Sequence, residues 1–221
     1  TCPILGYSAK ALPMVTSTPN FYDVPALAIS RTNVSRIRNS RHYTAELSVR
    51  LRTETSANVI IGDPDECSIL IGAHYDALWT GAADNAFWIA LLLQFLKQRP
   101  SSVLVVFFGS EELGGEFPNY WAHGSKMFAS EFDTSNFSKI IIFDGISGSR
   151  PLVYREKEVL DNSDARNFFG RNVLLVGPSK EIYKIYHSYW DTPDRISIMA
   201  ASNGWGLLNR MVRATASSNS L

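Results

Sequence analysis

The 221-residue chain balances 21 lysines and arginines against 21 aspartates and glutamates, so its net charge is near zero. Nucleic acids and anionic membranes both favour a basic excess, and this balance argues against either as the main partner. The length is typical of one domain, over residues 1–221, and a chain that is 45% hydrophobic can bury a sizeable core. The longest apolar stretches, Phe87–Leu93 and Val103–Phe108, are far shorter than the ~20 residues that span a bilayer.

Residues 1–45 are predicted to form an irregular N-terminal segment, because prolines interrupt them repeatedly. Only Ala26–Ser30 has the pattern of a short buried strand. The arginines that follow, between residues 31 and 41, are typical of a solvated helix or loop face. No charged segment followed by an apolar run begins the chain, so no signal peptide is indicated, and the compartment and the oligomeric state stay open. Cys2 and Cys67 could form one disulfide, which leaves the compartment equally open.

From residue 46 onward, short apolar runs alternate with turns and longer helical patterns. The predicted strands are residues 47–51, 58–61, 68–73, 102–108, 139–143 and 172–176. The predicted helices are residues 84–99, ended by Pro100, and residues 196–213, bent near Gly204 and Gly206. Strands that alternate with helices predict an α/β fold, a three-layer α/β/α sandwich with a mixed, centrally parallel sheet.

Acidic and imidazole side chains follow the predicted strands, at the carboxyl ends where α/β folds gather their active sites. These candidates are His74, Asp76, Asp84, Glu111, Glu112, Asp144, His187 and Asp191. Such groups would repel one another and lose solvation unless a cation neutralised them. Imidazoles and carboxylates without cysteine suit zinc, cobalt or manganese in a catalytic role. Five ligands are enough for two ions ~3.5–4 Å apart that share a bridging carboxylate.

The adjacent glutamates, Glu111 and Glu112, cannot point in the same direction. One can therefore bind metal while the other faces the reacting water as a base. Each motif alone is weak, because isolated His-x-Asp and Glu-Glu pairs occur by chance and Asp144 could simply cap a turn. Their fixed order, each at the end of a predicted strand, favours a functional site. The remaining histidines, His42 and His123, are interpreted as surface or loop residues.

Five stretches taken together resemble the co-catalytic zinc aminopeptidases of the M28 family, from about residue 46 to the end of the chain. They are Ala73–Asp76, Gly81–Ala86, Phe107–Glu112, Phe143–Asp144 and His187–Thr192. Residues 24–30 also resemble the exit from the protease-associated domain that many relatives insert before the catalytic region. Residues 1–45 would then be the edge of such a domain.

The resemblance implies a single metallopeptidase domain that holds two divalent ions, zinc or in its place cobalt or manganese. One ion would be held by His74, Asp84 and Asp144, and the other by Asp84, Glu112 and His187. Glu111 would be the general base, and Asp76 would orient His74. By analogy, Asp191 is a candidate to orient His187. The substrate would be a peptide with a free amino terminus.

Aromatic residues near these positions predict a pocket for a large apolar amino-terminal side chain. They are Phe87, Phe117, Tyr120 and Trp121, whereas Trp88 fits a core position equally well. Tyr183 or Tyr186 is a candidate to stabilise the oxyanion. The family usually has an aspartate where Ala83 stands and small residues at positions 87 and 88, so the substrate preference of this chain stays open.

Four alternatives remain open at this level. Glutaminyl cyclases share the fold, with one zinc ion and an intramolecular transfer, and a carboxypeptidase of the same superfamily is a second. A serine hydrolase is a third, since Gly145–Ser149 resembles a nucleophile turn, although the Gly-x-Ser-x-Gly spacing is not met. A binding module with an inactive site is a fourth, but the complete set of ligands argues against it.

Overall fold

The computed structural model describes residues 4–7, 26–29, 31–40, 42, 44, 46, 54–98, 100, 102–112, 121–168 and 172–216. The strands in these ranges are β1 (Ile4–Tyr7), β2 (Ala26–Ile29), β3 (Val59–Ile61), β4 (Ile69–His74), β5 (Val103–Phe108), β6 (Lys139–Phe143), β7 (Leu152–Tyr154) and β8 (Val173–Gly177). The α-helices are α1 (Arg31–Arg38), α2 (Phe87–Leu96), α3 (His123–Glu131), α4 (Lys157–Leu160) and α5 (Ile198–Ala216).

A six-stranded mixed sheet organises the described residues from 59 to 177. Its strand order is β3-β5-β4-β6-β8-β7. The four central strands run parallel, and the two edge strands, β3 and β7, are antiparallel to their neighbours. The predicted α/β fold with a centrally parallel sheet is therefore confirmed. Because β5 and β6 flank β4 on opposite sides, the chain reverses its direction of travel at β4, which is where such sheets bind ligands.

Two apolar cores cover the two faces of this sheet and complete the three layers. On one face, α2 and α5 pack against the strands through residues such as Trp88 and Leu208. On the other face, Phe128 of α3 and Phe168 pack against the opposite side of the same strands. Since both faces are covered, β4 and β5 are apolar and buried throughout instead of alternating with polar residues.

Five predicted strands correspond to β3, β4, β5, β6 and β8, with ends shifted by at most one residue. The predicted strand at 47–51 lies outside the described residues. The predicted helix at 84–99 begins only at Phe87, because Asp84 and Asn85 have non-helical backbone angles. The last helix, α5, is one uninterrupted helix through both glycines. Gly204 allows close packing, since a Cβ there would lie 3.2 Å from the Trp88 ring.

The N-terminal strands, β1 and β2, form a separate parallel pair, in which β2 matches the predicted strand at 26–30. The basic stretch forms α1, and its described side chains are exposed or half-buried, as predicted for a solvated helix. The sequence analysis did not predict β1, β7, α3 or α4. Cys67 forms no disulfide within the described residues, and Cys2 lies outside them. No described helix combines the length and the apolar character that a membrane span requires.

Candidate metal centre

The carboxyl ends of the central strands bring the five predicted ligands together. His74 is the last residue of β4, and Asp144 directly follows β6. Glu112 lies shortly after β5, Asp84 lies in the turn before α2, and His187 lies beyond β8. Four of these side chains are buried, and Asp144 is half-buried.

Gly81 shapes the turn that delivers Asp84. Its φ is 56°, a left-handed conformation that residues with a side chain rarely adopt. A Cβ at this position would also lie 2.2 Å from the Cβ of Ala77. The turn after β4 therefore depends on glycine, and it carries Asp84 back over the end of the sheet.

His74 has its tautomer fixed by a main-chain group. Its Nδ1 lies 2.9 Å from the carbonyl oxygen of Asp76, and a carbonyl can only accept, so Nδ1 carries the hydrogen. In the neutral ring, Nε2 then carries no hydrogen and presents a lone pair. This nitrogen lies 3.2 Å from Oδ1 of Asp84 and 3.5 Å from Oδ1 of Asp144. A lone pair and two carboxylate oxygens that converge on one point require a cation or a proton between them.

His187 makes a second convergence of the same kind. Its Nε2 lies 3.1 Å from Oδ2 of Asp84 and 3.1 Å from Oε2 of Glu112. Within the described residues, however, neither this nitrogen nor Oε1 of Glu112 has a hydrogen-bond partner. Short contacts without hydrogen-bond geometry are typical of ligand atoms arranged around an ion.

The donor set fits divalent metal. Two ligands of a tetrahedral zinc ion, each ~2.0–2.1 Å from it, lie about 3.3 Å apart. The four nitrogen–oxygen distances from His74 and His187 to the neighbouring carboxylates range from 3.1 to 3.5 Å. One ligand atom each from His74, Asp84 and Glu112 also lies within 4.8 Å of the others, which marks these three residues as a candidate metal site.

The pKa shifts in the cluster also indicate that it favours a positive charge. Burial raises the pKa of Glu111 well above its ordinary value, and the neighbouring carboxylates add to this while His74 opposes it. Burial would likewise raise the pKa of Asp84, but the neighbouring imidazoles of His187 and His74 lower it. Burial alone would lower the pKa of His187, yet the carboxylates of Asp84 and Glu112 raise it to about 9. These shifts show that the buried carboxylates favour a positive charge beside them.

Asp76 contacts both His74 and the glutamate pair. Its carbonyl accepts from His74, as described above, whereas its carboxylate lies 3.7 Å from the same ring nitrogen. The two carboxylate oxygens instead accept hydrogen bonds from the backbone N–H groups of Glu111 and Glu112, each at 3.0 Å. The expected contact with His74 is thus made mainly by the main chain, and the side chain holds the glutamates in place.

Asp191 does not orient His187, so that prediction is wrong. Its carboxylate accepts hydrogen bonds from the backbone N–H groups of Ala83 and Asp84. The reason is local: the Asp191 N–H bonds back to the Ser188 carbonyl at 3.1 Å, and this tight turn aims the side chain at the 82–84 segment.

A cavity of about 560 Å³ opens beside the ligands. Its acidic end is lined by Asp84, Glu111, Glu112 and Asp144. The apolar and aromatic groups around the rest of the cavity are Trp121, Tyr154, Val159, Leu175, Pro178, Ile182, Tyr183 and Tyr186. Tyr186 also stacks on His187, with 3.3 Å between ring centroids, whereas Tyr183 is mostly exposed.

Of the four predicted pocket residues, the structure places one in the cavity wall and one in the core, and two lie outside the described residues. Trp121 lines the cavity. Phe117 and Tyr120 lie outside the described residues. Phe87 does not line it and is a wrong prediction, because α2 turns this side chain into the core beside Trp88 and α5. Trp88 is fully buried and donates from its indole to the Gly145 carbonyl at 2.8 Å, which settles it as a core residue.

Several cavity residues were missed by the sequence analysis. Tyr154, Val159 and Ile182 lie between Asp144 and His187, in short elements without clear periodicity. The only indication of their role in the sequence was their position between two candidate ligands, Asp144 and His187. Asn85 was missed because its role depends on contacts with a distant strand, as discussed below.

The serine-hydrolase alternative finds no support in the geometry. The Ser147 hydroxyl donates to the Ser179 carbonyl at 3.0 Å. The two buried imidazoles, His74 and His187, face carboxylates. His123 begins α3, and His42 is exposed. The described residues therefore offer Ser147 no histidine to take its proton.

The profile of peptidase family M28 matches residues 57–167, half of the chain. The chain belongs to peptidase family M28. The matched region contains four of the five candidate ligands of this M28 member, and His187 lies beyond it. The family and the site together support a metal-dependent hydrolase. No curated protein sequence matches the chain significantly.

Solved structures with the same fold include both peptidases and glutaminyl cyclases. A glutaminyl cyclase from an Acidobacteriales bacterium is 18% identical, with a TM-score of 0.55 over 71% of this chain and 72% of that one. A Zn-dependent exopeptidase from Parabacteroides distasonis is 16% identical, with a TM-score of 0.54 over 70% and 76%. A leucine aminopeptidase precursor from Bacteroides thetaiotaomicron is 16% identical, with a TM-score of 0.53 over 68% and 74%. Likeness at these identities establishes the fold alone.

Proposed function

We propose that this M28 member is a two-metal aminopeptidase, which removes the amino-terminal residue from peptides. The observation that carries the proposal is the orientation of Asp84. Its Oδ1 lies 3.2 Å from Nε2 of His74, and its Oδ2 lies 3.1 Å from Nε2 of His187. A carboxylate that offers one oxygen to each of two imidazoles suits a ligand shared between two ions.

His74, Asp84 and Asp144 would hold one ion, and Asp84, Glu112 and His187 would hold the other. Zinc is the metal that best suits imidazole and carboxylate donors in a catalytic site, with cobalt or manganese as substitutes. When bound, such ions make water nucleophilic near neutral pH and polarise the scissile carbonyl.

Glu111 is proposed as the general base. It lines the cavity, and the Asp76 carboxylate fixes its backbone at 3.0 Å. In this role Glu111 takes a proton from the attacking water and passes it to the leaving amine. Tyr186, which lines the same cavity against His187, is the candidate to donate to the oxyanion.

The cavity suggests how a substrate would be oriented. Its acidic end can attract the ammonium group of a free amino terminus, and this would make the enzyme an exopeptidase. The apolar and aromatic part of the remaining wall suits a large apolar or aromatic side chain. An acidic side chain would lose solvation there, close to several carboxylates, and Lys180 is the one lysine or arginine among the described lining residues.

The test combines a metal count with matched substrates. Zinc-saturated protein should contain about two ions per chain by elemental analysis, and it should hydrolyse leucine anilide. The same anilide with an acetylated amino group is the control and should not be cleaved. Chelation should abolish the activity, and added zinc should restore it.

Two results would contradict the proposal. One is a firm saturation value of one ion per chain together with cyclisation of an amino-terminal glutamine, which would identify a glutaminyl cyclase. The other is cleavage of amino-blocked peptides from the carboxyl end, which would identify a carboxypeptidase.

A further inference from the structure

We infer that Asp191 is a positioning residue of the metal site, which fixes the bridging carboxylate through the backbone of the turn that carries it. This inference rests on the proposed metal site and adds a residue to it. Asp191 is only 1% exposed, and nothing assigned to the ligands or to the base accounts for a buried aspartate at this position.

Three consecutive N–H groups donate to this one residue. The Ala82 N–H donates to the main-chain carbonyl of Asp191 at 3.2 Å. The Ala83 N–H donates to Oδ1, and the Asp84 N–H donates to Oδ2 at 3.1 Å. These N–H groups open the segment before α2, where a helix offers no internal acceptors, and Asp84 itself has non-helical angles, φ −132° and ψ 82°. Asp191 supplies the missing acceptors.

The same contacts join two separate parts of the site. Asp84 comes from the turn after β4, and Asp191 lies 107 residues later in the chain, four positions beyond the ligand His187. Oδ2 of Asp84 lies 3.1 Å from Nε2 of His187. The Asp191 hydrogen bonds therefore connect the two segments that carry Asp84 and His187, which are proposed ligands of the same ion. Fixing this link sets the position of Asp84 relative to both imidazoles.

The chemistry calls for a carboxylate. Ionised aspartate presents two acceptor oxygens, one for each N–H, and no donor. Asparagine has the same shape but replaces one acceptor by an NH2 group, which would face a backbone N–H. Asp191→Asn therefore breaks one of the two contacts with very little change in volume.

The experiment measures metal affinity in the folded protein. Asp191→Asn should weaken zinc binding about 10- to 100-fold at both sites by chelator competition, the usual cost of losing a group that orients a ligand. The absorption spectrum of the cobalt form should also change, because the ligand geometry relaxes. The matched control is Asp63→Asn, since Asp63 accepts from the Asp65 N–H at 2.9 Å in an exposed turn. It should leave both readouts unchanged.

A purely structural role would lower the unfolding temperature of the metal-free protein and leave the affinity and the cobalt spectrum of the folded variant as in wild type. That result would overturn the inference. If Asp191→Asn does not fold, amide exchange in the wild type decides: the Ala83 and Asp84 amides should exchange slowly, and rapid exchange would refute the contact. A wild type that binds no metal would refute the proposed function instead.

Discussion

The side-chain amide of Asn85 donates a hydrogen bond to the main-chain carbonyl of Phe143 at 2.9 Å. The oxygen of the same amide accepts from the Gly145 N–H at 3.2 Å. Asn85 follows the proposed bridging ligand, and these two contacts flank Asp144 on either side. One buried amide therefore links the backbone on both sides of Asp144 to the residue after Asp84, and so sets the spacing between these two proposed ligands.

Replacement of Asn85 by alanine should destabilise the protein. The variant leaves a buried carbonyl and a buried N–H without partners, which costs about 1–3 kcal/mol for each such group. Chemical denaturation of the metal-free protein measures the change in the free energy of unfolding. The control is Asn172→Ala, because Asn172 donates to the Ser138 carbonyl from an exposed position, and the expected change there is within about 0.5 kcal/mol. Equal losses in the two variants would show that the Asn85 amide contributes no more than a surface hydrogen bond.

Glu111→Gln should retain metal and lose activity by a factor of about 10² to 10⁴, the usual effect of removing a general base. Glu112→Gln should instead lower the metal content, because Glu112 lies 3.1 Å from His187 among the proposed ligands. Elemental analysis and anilide hydrolysis separate the two effects. Glu131→Gln, on the exposed end of α3, is the control. Exchanged phenotypes would reverse the assignment of the two glutamates.

Ile182→Ala should reduce the preference for large side chains. Ile182 is buried in the cavity wall, and a lost apolar contact of this kind is worth ~1–3 kcal/mol in discrimination. The ratio of kcat/KM for leucine over alanine anilide should therefore fall about tenfold. Ile198→Ala is the control, since Ile198 is 89% exposed and does not line the cavity. An unchanged ratio would remove this wall from the account of specificity.

Asp164→Asn should stabilise the metal-free protein increasingly as pH rises. Asp164 is buried, and neither of its carboxylate oxygens has a hydrogen-bond partner within the described residues. Burial raises its pKa from 3.8 to about 7, although His74 and Ser125 oppose the shift. Between these values the folded state keeps a proton that the unfolded state has lost, so wild-type stability falls as pH rises through this window.

The measurement is the unfolding temperature of wild type and variant at about pH 5 and about pH 8, after chelation. The advantage of Asp164→Asn should be larger at the higher pH, because the variant has no proton to lose. Equal differences at both values would mean that Asp164 does not titrate in this window.

The sequence by itself determined five of the six strands of the main sheet and the set of candidate ligands. A continuous apolar run such as β5 predicts a strand covered on both faces, and this is a local pattern. His74 and Asp144 could be placed at one edge because parallel strands end at the same edge of a sheet. Order along the chain was therefore enough to assemble those residues.

Only the tertiary structure decided how the ligands are held and what lines the cavity. Asp191 and Asp84 are 107 residues apart, and Asn85 acts on a carbonyl 58 residues away, so no local pattern reveals either contact. Phe87 was misplaced because its helix begins three residues after Asp84 instead of at it, which changes the direction of every side chain in the first turn. Such contacts depend on packing between distant segments, and that packing is fixed only when the chain folds.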